Sequence, residues 1–132
     1  MSYARVLTGL QERLRTISGL KKVLLYEPAA LDDPPLCYLF LDTAEITHQG
    51  QSITAVYTVT ARVVVLWQDN EEAEAQIAPF VDSIVDAVWD DPMLGGKANS
   101  ARVTNVSGGF IDATGVTYRS MDFTITVKEV RT

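Results

Sequence analysis

The chain has one cysteine and one histidine among its 132 residues. A lone thiol cannot form an internal disulfide, and a lone thiol with a lone imidazole cannot supply a Cys-only or multi-His zinc site. Cys37 lies in the apolar run Leu36–Phe40, which predicts a buried and unreactive thiol. We therefore expect no catalytic residue, no metal site and no cofactor.

Long apolar runs and excess positive charge are also missing. No run approaches the ~20 apolar residues of a membrane helix, and residues 1–5 lack the apolar core of a signal peptide. We therefore expect no membrane association and synthesis in a cytoplasm. The net charge of −6 disfavours general binding to nucleic acid. A composition of 47% hydrophobic and 21% charged residues predicts one globular domain over residues 1–132.

The stretch 52–67 alternates in polarity with a period of two residues. Its odd-numbered positions are apolar from Ile53 to Trp67, and its even-numbered positions are polar from Ser52 to Arg62 except for Val56. Successive strand side chains point to opposite faces, so the pattern predicts a long strand with one apolar and one polar face. Such a strand spans roughly 50 Å at about 3.3 Å per residue, so it either bends or extends beyond its own core.

Two segments have the spacing of amphipathic helices. Apolar residues recur every three or four positions over residues 2–17, with Ser2 as a predicted N-cap. The second helix is predicted to begin after Asp69, with Glu72 completing a pair like a capping box, and to end near Trp89. Pro79 lies inside it and predicts a kink or a restart.

The remaining segments predict strands and their connections. We expect a short strand at 23–26, a proline-rich loop at 27–35, a buried strand at 36–41, a polar loop or hairpin tip at 42–51, a flexible connection at 93–100, and strands at 101–111 and 116–130 around a four-residue turn. Gly108 and Gly109 predict a bulge or a close backbone approach.

The predicted fold is α+β in the order α-β-β-β-α-β-β. Two helices pack on one face of an antiparallel or mixed sheet, and the other, threonine-rich face meets solvent or a partner.

Two local patterns resemble chemical sites but lack essential parts. The segment Leu94–Ala98 has the Gly-Lys pair of a phosphate-binding loop without its first glycine or the hydroxyl after Lys97. His48 lies between Glu45 and Ser52, but a triad would also need a buried acid and an oxyanion hole. A structural loop and a solvated histidine are the favoured interpretations.

Four basic residues fall inside predicted strands, where charge is usually avoided unless the face is wet or the charge is paired. The simple interpretation is that each is exposed and paired with a nearby acid. The functional interpretation is that some line a channel or contact another subunit. These residues are Arg62, Arg102, Arg119 and Lys128.

The order of these elements resembles a family of phage proteins. The features that carry the resemblance are an N-terminal helix, a proline-rich loop, a long strand ending in 63–68 (VVVLWQ), a helix opened by 69–72 (DNEE), and a final glycine-containing hairpin. Over nearly the whole chain they resemble tail terminator (tail completion, minor tail protein U-like) proteins of long-tailed bacteriophages and related particles.

This resemblance implies a structural role with no enzymatic activity. Members of the family form a hexameric ring that caps the head-proximal end of the tail tube. The ring stops tube polymerisation and presents a surface to the head–tail connector proteins. DNA passes through its lumen without sequence-specific binding. The implied location is the head-proximal end of a virion tail, assembled in the host cytoplasm.

Contacts between subunits or with the tube are expected in two polar segments, 42–51 and 93–100, because both are long and lie between clearly predicted helices or strands. The candidate contact residues are Glu45, His48, Gln49, Gln51, Lys97 and Asn99. The four strand residues with basic side chains are candidates for the lumen or for an interface.

Other functions remain open at this point. A different head–tail neck protein, such as a stopper or a head-completion protein, would have a similar size and element content. A small ligand-binding domain or enzyme of non-viral origin could assemble its site in space without a sequence motif.

Overall fold

The structure is a computed structural model that describes residues 2–131. The elements are α1 (Tyr3–Leu14), β1 (Lys22–Leu24), β2 (Leu36–Gln49), β3 (Ser52–Leu66), α2 (Asn70–Asp90), a short 3-10 turn (Leu94–Gly96), β4 (Ser100–Ala113) and β5 (Val116–Arg131). The strands form one sheet in the order β1-β2-β3-β5-β4. β1 is parallel to β2 and every other pair is antiparallel. The predicted α+β fold and element order are confirmed, with a mixed sheet.

β3 lies at the centre of the sheet and is paired on both sides. Its partner β2 runs from Leu36 opposite Val64 to Gln49 opposite Ser52. On its other side β5 pairs with residues 53–66. The predicted long strand is confirmed, and the neighbouring strands account for its length because they accompany it almost from end to end.

The alternation in β3 separates two faces of the sheet. The odd-numbered residues from Ala55 to Val65 are buried beneath α1 and α2 in the main core, and this side is called the helix-covered face. The even-numbered residues point to the opposite side, called the open face. The helices and strands of the core contribute Val6, Leu10, Leu14, Ile77, Phe80, Ile84, Cys37, Leu39, Phe123, Ile125 and Val127.

Both predicted helix caps are present. The Ser2 side chain accepts a hydrogen bond from the Arg5 N–H at 3.3 Å, and Asp69 accepts one from the Glu72 N–H at 2.8 Å. α1 ends at Leu14, one turn earlier than predicted. α2 does not restart at Pro79 but continues through it, since the carbonyl of Ala75, which loses its N–H partner, belongs to a solvent-exposed residue.

The prediction of a loop over residues 42–51 is wrong in part, because β2 continues to Gln49. The pairing with β3 shifts register between Leu41 and Thr43, so Asp42 forms a β-bulge. Before the bulge the odd-numbered residues of β2 lie on the helix-covered face, and after it the even-numbered residues do. The sequence of β2 therefore shows no continuous period of two. The actual turn is the hairpin tip at Gly50 and Gln51, where Gly50 has a φ of 58°.

The hairpin of β4 and β5 also differs from prediction. The turn has two residues, Thr114 and Gly115, both with positive φ, since Ala113 pairs with Val116. The β4 bulge lies between Val103 and Asn105 and not at the two glycines. Gly108 instead permits a close approach, because a Cβ there would lie 2.9 Å from the Arg119 guanidinium.

The connection 93–100 is anchored and is not an open flexible loop. Leu94 and Ala98 are buried in the main core. A Cβ on Gly9 of α1 would lie 3.0 Å from the Cβ of Leu94, so the glycine allows the connection to pack against the helix. The short segment closes one end of the core because its two apolar side chains point inward.

A smaller apolar cluster covers one end of the open face. The proline-rich loop places Leu31 over this end, where it packs with strand residues. The cluster consists of Leu31, Leu36, Tyr38, Val64 and Tyr118. The rest of the open face is not covered by any described residue of this chain.

Replacing a phenylalanine should reveal the difference between core and edge. Phe123 is fully buried and Phe110 is 58% exposed. We expect Phe123→Ala to lower the free energy of unfolding by about 3–5 kcal/mol, because it leaves a cavity. Phe110→Ala should cost at most about 1.5 kcal/mol, the value of an exposed aromatic contact. Urea unfolding measures both, and equal costs would contradict the described core.

Candidate assembly surfaces

The sheet has two long edges that no described strand pairs. β1 pairs only with Leu36–Tyr38 of β2, which leaves residues 39–49 of β2 without a partner on that side. At the other side of the sheet β4 pairs only with β5. Unpaired edges offer rows of N–H and C=O groups to another chain. The β2 edge and the β4 edge are therefore candidate surfaces for assembly.

The predicted contact residues of the first polar segment lie along the β2 edge or at its tip. Glu45, His48 and Gln49 are exposed strand residues, and Gln51 is exposed in the turn. Glu45 points to the open face and His48 to the helix-covered side, as their partners Val56 and Ile53 on β3 show. No ion pair within residues 2–131 involves Glu45 or His48.

The two edges also carry exposed apolar side chains, all on the helix-covered face. Leu41 and Ile46 of β2 are 41% and 49% exposed. On β4, Val103 and Val106 are half-buried and Phe110 is exposed. The exposed apolar side chains of both edges thus lie on one side of the sheet, and Glu45 and Arg102 lie on the other, where Phe40 and Ile111 are half-buried against the smaller apolar cluster.

Arg62 holds together the middle of the open face. Its guanidinium donates two hydrogen bonds to the Asp122 carboxylate, at 2.7 and 2.9 Å, and a third to the Tyr38 hydroxyl at 3.1 Å. It also lies 5.2 Å from the centre of the Phe40 ring. The Asp122 carboxylate raises the pKa of Arg62. This matches the simple interpretation of a basic residue paired with a neighbouring acid.

Arg119 lies on the other side of the sheet from Arg62. It contacts the Glu74 carboxylate of α2 and donates to the carbonyl oxygens of Gly109 and Ser120. Its guanidinium stacks 5.0 Å from the centre of the Phe110 ring. The side chain therefore joins α2 to the β4–β5 hairpin.

Arg102 and Lys128 come together on the open face at the β4 edge. Arg102 pairs with Thr126 and Lys128 with Ser100, so the two basic residues are diagonal neighbours. Both are exposed, and neither forms an ion pair within the described part of the chain. With Val56 they border a shallow depression of about 340 Å³. Of the four basic candidates, these two are available to an external group.

Lys97 and Asn99 have partners within the chain. Lys97 forms an ion pair with Glu12 of α1 at 3.0 Å. The Asn99 backbone N–H donates to the carbonyl oxygen of Lys128, and the Asn99 side-chain oxygen accepts from the Val130 N–H at 2.8 Å. These contacts extend the β4–β5 pairing by one residue. Asn99 lies at the same end of the sheet as the β2–β3 hairpin tip.

An apolar patch at the end of α2 was not singled out from sequence. Val85 and Trp89 lie four residues apart on the helix, and Met93 follows it. Their exposed fractions are 37%, 79% and 55%. The i, i+4 spacing could have placed Val85 and Trp89 on one helix face, but only the packing shows that this face is turned away from the sheet.

Glu129 was also missed as a special residue. It is fully buried, and its Oε1 accepts from Arg131 at 2.9 Å and from the Tyr57 hydroxyl at 3.4 Å. Its Oε2 has no hydrogen-bond partner within residues 2–131. The Glu129 side chain follows the inward alternation of β5, a signal present in the sequence. Burial, followed by the Glu129 charge, raises the pKa of Tyr57.

Residues 2–131 contain no group of three or more His, Cys, Asp or Glu side chains placed to hold a metal ion. No helix in the same range is both long and apolar enough to span a membrane. Cys37 is fully buried, as predicted.

No protein-family model matches the chain, and no curated protein matches it. A solved structure described as the virion of a native gene transfer agent particle aligns with 96% of this chain and 98% of that chain. The two share 13% identity with a TM-score of 0.48.

Removing the charge of Asp122 should destabilise the open face. Arg62 and Asp122 are 27% and 29% exposed, so the guanidinium would lose its counter-charge in a partly buried place. We expect Asp122→Asn to lower the free energy of unfolding by about 1–2 kcal/mol. Asp82→Asn, on the exposed side of α2, should change it by less than about 0.5 kcal/mol. Equal free energies of unfolding for the two variants in urea would contradict a stabilising role for the Arg62–Asp122 pair.

The Cys37 thiol should be unreactive in the folded protein. Burial raises its pKa to about 12, so almost no thiolate forms at pH 8. We expect a thiol-specific disulfide reagent to label Cys37 only when urea unfolds the chain. A Ser18→Cys variant places a second thiol at an exposed position outside the strands and should be labelled at once. Rapid labelling of native Cys37 would contradict its burial.

Proposed function

We propose that this protein is a structural component of a phage-like virion that acts as a tail terminator. In this proposal copies of the chain form a ring, with six as the expected number. The ring caps the head-proximal end of the tail tube and joins it to the connector proteins. The proposal includes no enzymatic activity and no cofactor.

The observation that carries the proposal is the pair of unpaired edges on opposite sides of one sheet. A subunit with two different surfaces that are complementary to each other makes head-to-tail contacts, which close into a ring when the rotation between copies is suitable. Residues 39–49 of β2 and the whole of β4 are such surfaces. The element order, which first suggested the family resemblance, agrees with this use of the sheet.

The two faces of the sheet suit the outside and the inside of a ring. The helix-covered face is already occupied by α1 and α2, so we assign it to the outer side. The open face carries Thr58, Thr124 and Thr126, and its Arg62 is paired with Asp122, while Arg102 and Lys128 form no ion pair within the described residues. A lumen of this kind carries few free cations, so it would let DNA pass without strong phosphate binding.

The apolar patch Val85, Trp89 and Met93 is assigned to a contact with another virion protein. It lies on α2 and directly after it, and none of its residues belongs to β2 or β4, so strand pairing at the two edges does not itself use it. Exposed apolar surface of this kind is typical of protein contacts. Either the tube or the connector can occupy it in a terminator, whereas a stopper or head-completion protein would use it against the portal side only.

The proposal can be tested in the cell that makes the particle. Deleting the coding sequence should leave heads and tails unjoined, with tails of irregular length, because nothing stops tube growth. The wild-type chain supplied separately should restore joined particles in negative-stain images. Joined particles with normal tails in the deletion strain would overturn the proposal, and separate heads with tails of normal length would favour a stopper or head-completion role.

The isolated protein offers a second measurement. Light scattering should give six times the 14.5 kDa chain mass, and copurification should recover the tail tube protein. We expect Trp89→Ser to leave the melting temperature nearly unchanged, since Trp89 is 79% exposed, and to reduce tube or connector capture. Unchanged capture would remove the patch from the proposal.

A further inference from the structure

The directions of the outer strands allow the sheet to continue from one copy into the next. β2 and β4 run in opposite directions, because the neighbouring strands β2, β3, β5 and β4 are each antiparallel to the one before. A copy placed beside β4 with the same face outward therefore presents its β2 antiparallel to β4. Antiparallel pairing is slightly more stable per residue than parallel pairing.

The side chains of the two edges match when the sheets are joined in this way. On the helix-covered face, Leu41 of one copy lies beside Val103 of the other when the rows continue without stagger, and beside Val106 with a two-residue stagger. Ile46 lies beside Ala101 in the staggered arrangement. On the open face, Thr43 and Glu45 of β2 come near Ser100 and Arg102 of β4. A shift of one residue would place apolar side chains on the polar side, so only registers that keep the two faces separate are allowed.

The charges also distinguish the two edges. The β2 edge contributes Asp42 and Glu45 and no lysine or arginine, whereas Arg102 is the charged residue of β4 on the open face. Pairing β2 with another β2 would bring carboxylates together, and pairing β4 with β4 would bring guanidinium groups together. Pairing β2 with β4 brings opposite charges together, which favours the head-to-tail contact.

The register between the two copies decides whether Glu45 lies diagonal to Arg102 or directly opposite it. Glu45, Val56, Lys128 and Ser100 lie in one row across the four strands. Joined without stagger, Glu45 of the next copy lies beside Ser100 and diagonal to Arg102. With a two-residue stagger it lies directly opposite Arg102. Diagonal and opposite positions are both within contact distance for long side chains.

We infer that the subunits of the proposed ring are joined by antiparallel pairing of the β2 edge, residues 39–49, with the β4 edge of the next copy, and that Glu45 pairs with Arg102 across this contact. The inference names the partner as a second copy of this chain and rests on the ring in the proposed function. It explains why Glu45 and Arg102 have no ion-pair partner within residues 2–131 of one copy.

A charge exchange tests the contact in the full chain. Sedimentation over a range of protein concentrations measures self-association of the wild type, Glu45→Arg, Arg102→Glu and the double variant. Each single variant places two like charges at the contact and should weaken association by about tenfold or more. The double variant restores opposite charges and should recover to within about threefold of the wild type. High salt should reduce the difference between single variants and wild type.

Two control variants change the same charges elsewhere. Asp86→Arg on α2 and Arg5→Glu on α1 alter exposed helix residues that form no ion pair within the described residues and belong to neither edge strand. Both should associate like the wild type. Thermal unfolding of each variant checks that the fold is kept, as expected for exposed positions.

The outcomes separate this inference from the proposed function. Single variants that associate like the wild type, a double variant no better than the singles, or a wild type that stays monomeric at millimolar concentration would each overturn the edge pairing. Rings that form in the single variants, with joined particles in cells, would leave the terminator role intact. Rescue by the double variant together with normal particles in the deletion strain would keep the pairing and reject the terminator role.

Discussion

The fold depends on β3, which is paired on both sides over almost its whole length. Its apolar residues alternate without a break from Ile53 to Val65 and all point to one side of the sheet. The strands beside it place their own apolar residues on the same side. Leu39 of β2 and Phe123 of β5 both take positions opposite Ala61, and all three are buried. The two helices then pack on the side that this strand makes apolar, since an apolar sheet face is stable only when covered.

A sheet organised around a central strand leaves its outer strands with one free side each. In this protein those strands are long, and β1 covers only three residues of β2. Exposed edges of this length invite pairing with other chains, and soluble proteins usually protect them. A protein that assembles can use them, provided that its two edges differ. The acidic β2 edge and the basic open side of β4 supply that difference.

The bulges adapt the outer strands to the central one. At Asp42 and at Thr104 an extra residue interrupts the alternation, while β3 and β5 continue unbroken between them. Beyond the bulge, Glu45 and Thr47 of β2 turn to the open face, and Ile46 turns to the helix-covered face. The charge and the apolar residue that we assign to the assembly contact therefore owe their orientation to one inserted residue.

The sequence by itself determined the elements, because the signals that define them are local. Alternation over 52–67, the three-and-four spacing of the helices and the caps Ser2 and Asp69 lie within a few residues of one another. The extension of β2 to Gln49 could not be predicted in the same way, because the bulge at Asp42 breaks the local period. The partners of the basic residues could not be predicted either. Arg62 meets Asp122, and Arg119 meets Glu74, across distances in the chain that only the folded sheet closes. The tertiary structure likewise decided which edges stay unpaired, because strand order depends on contacts among all five strands.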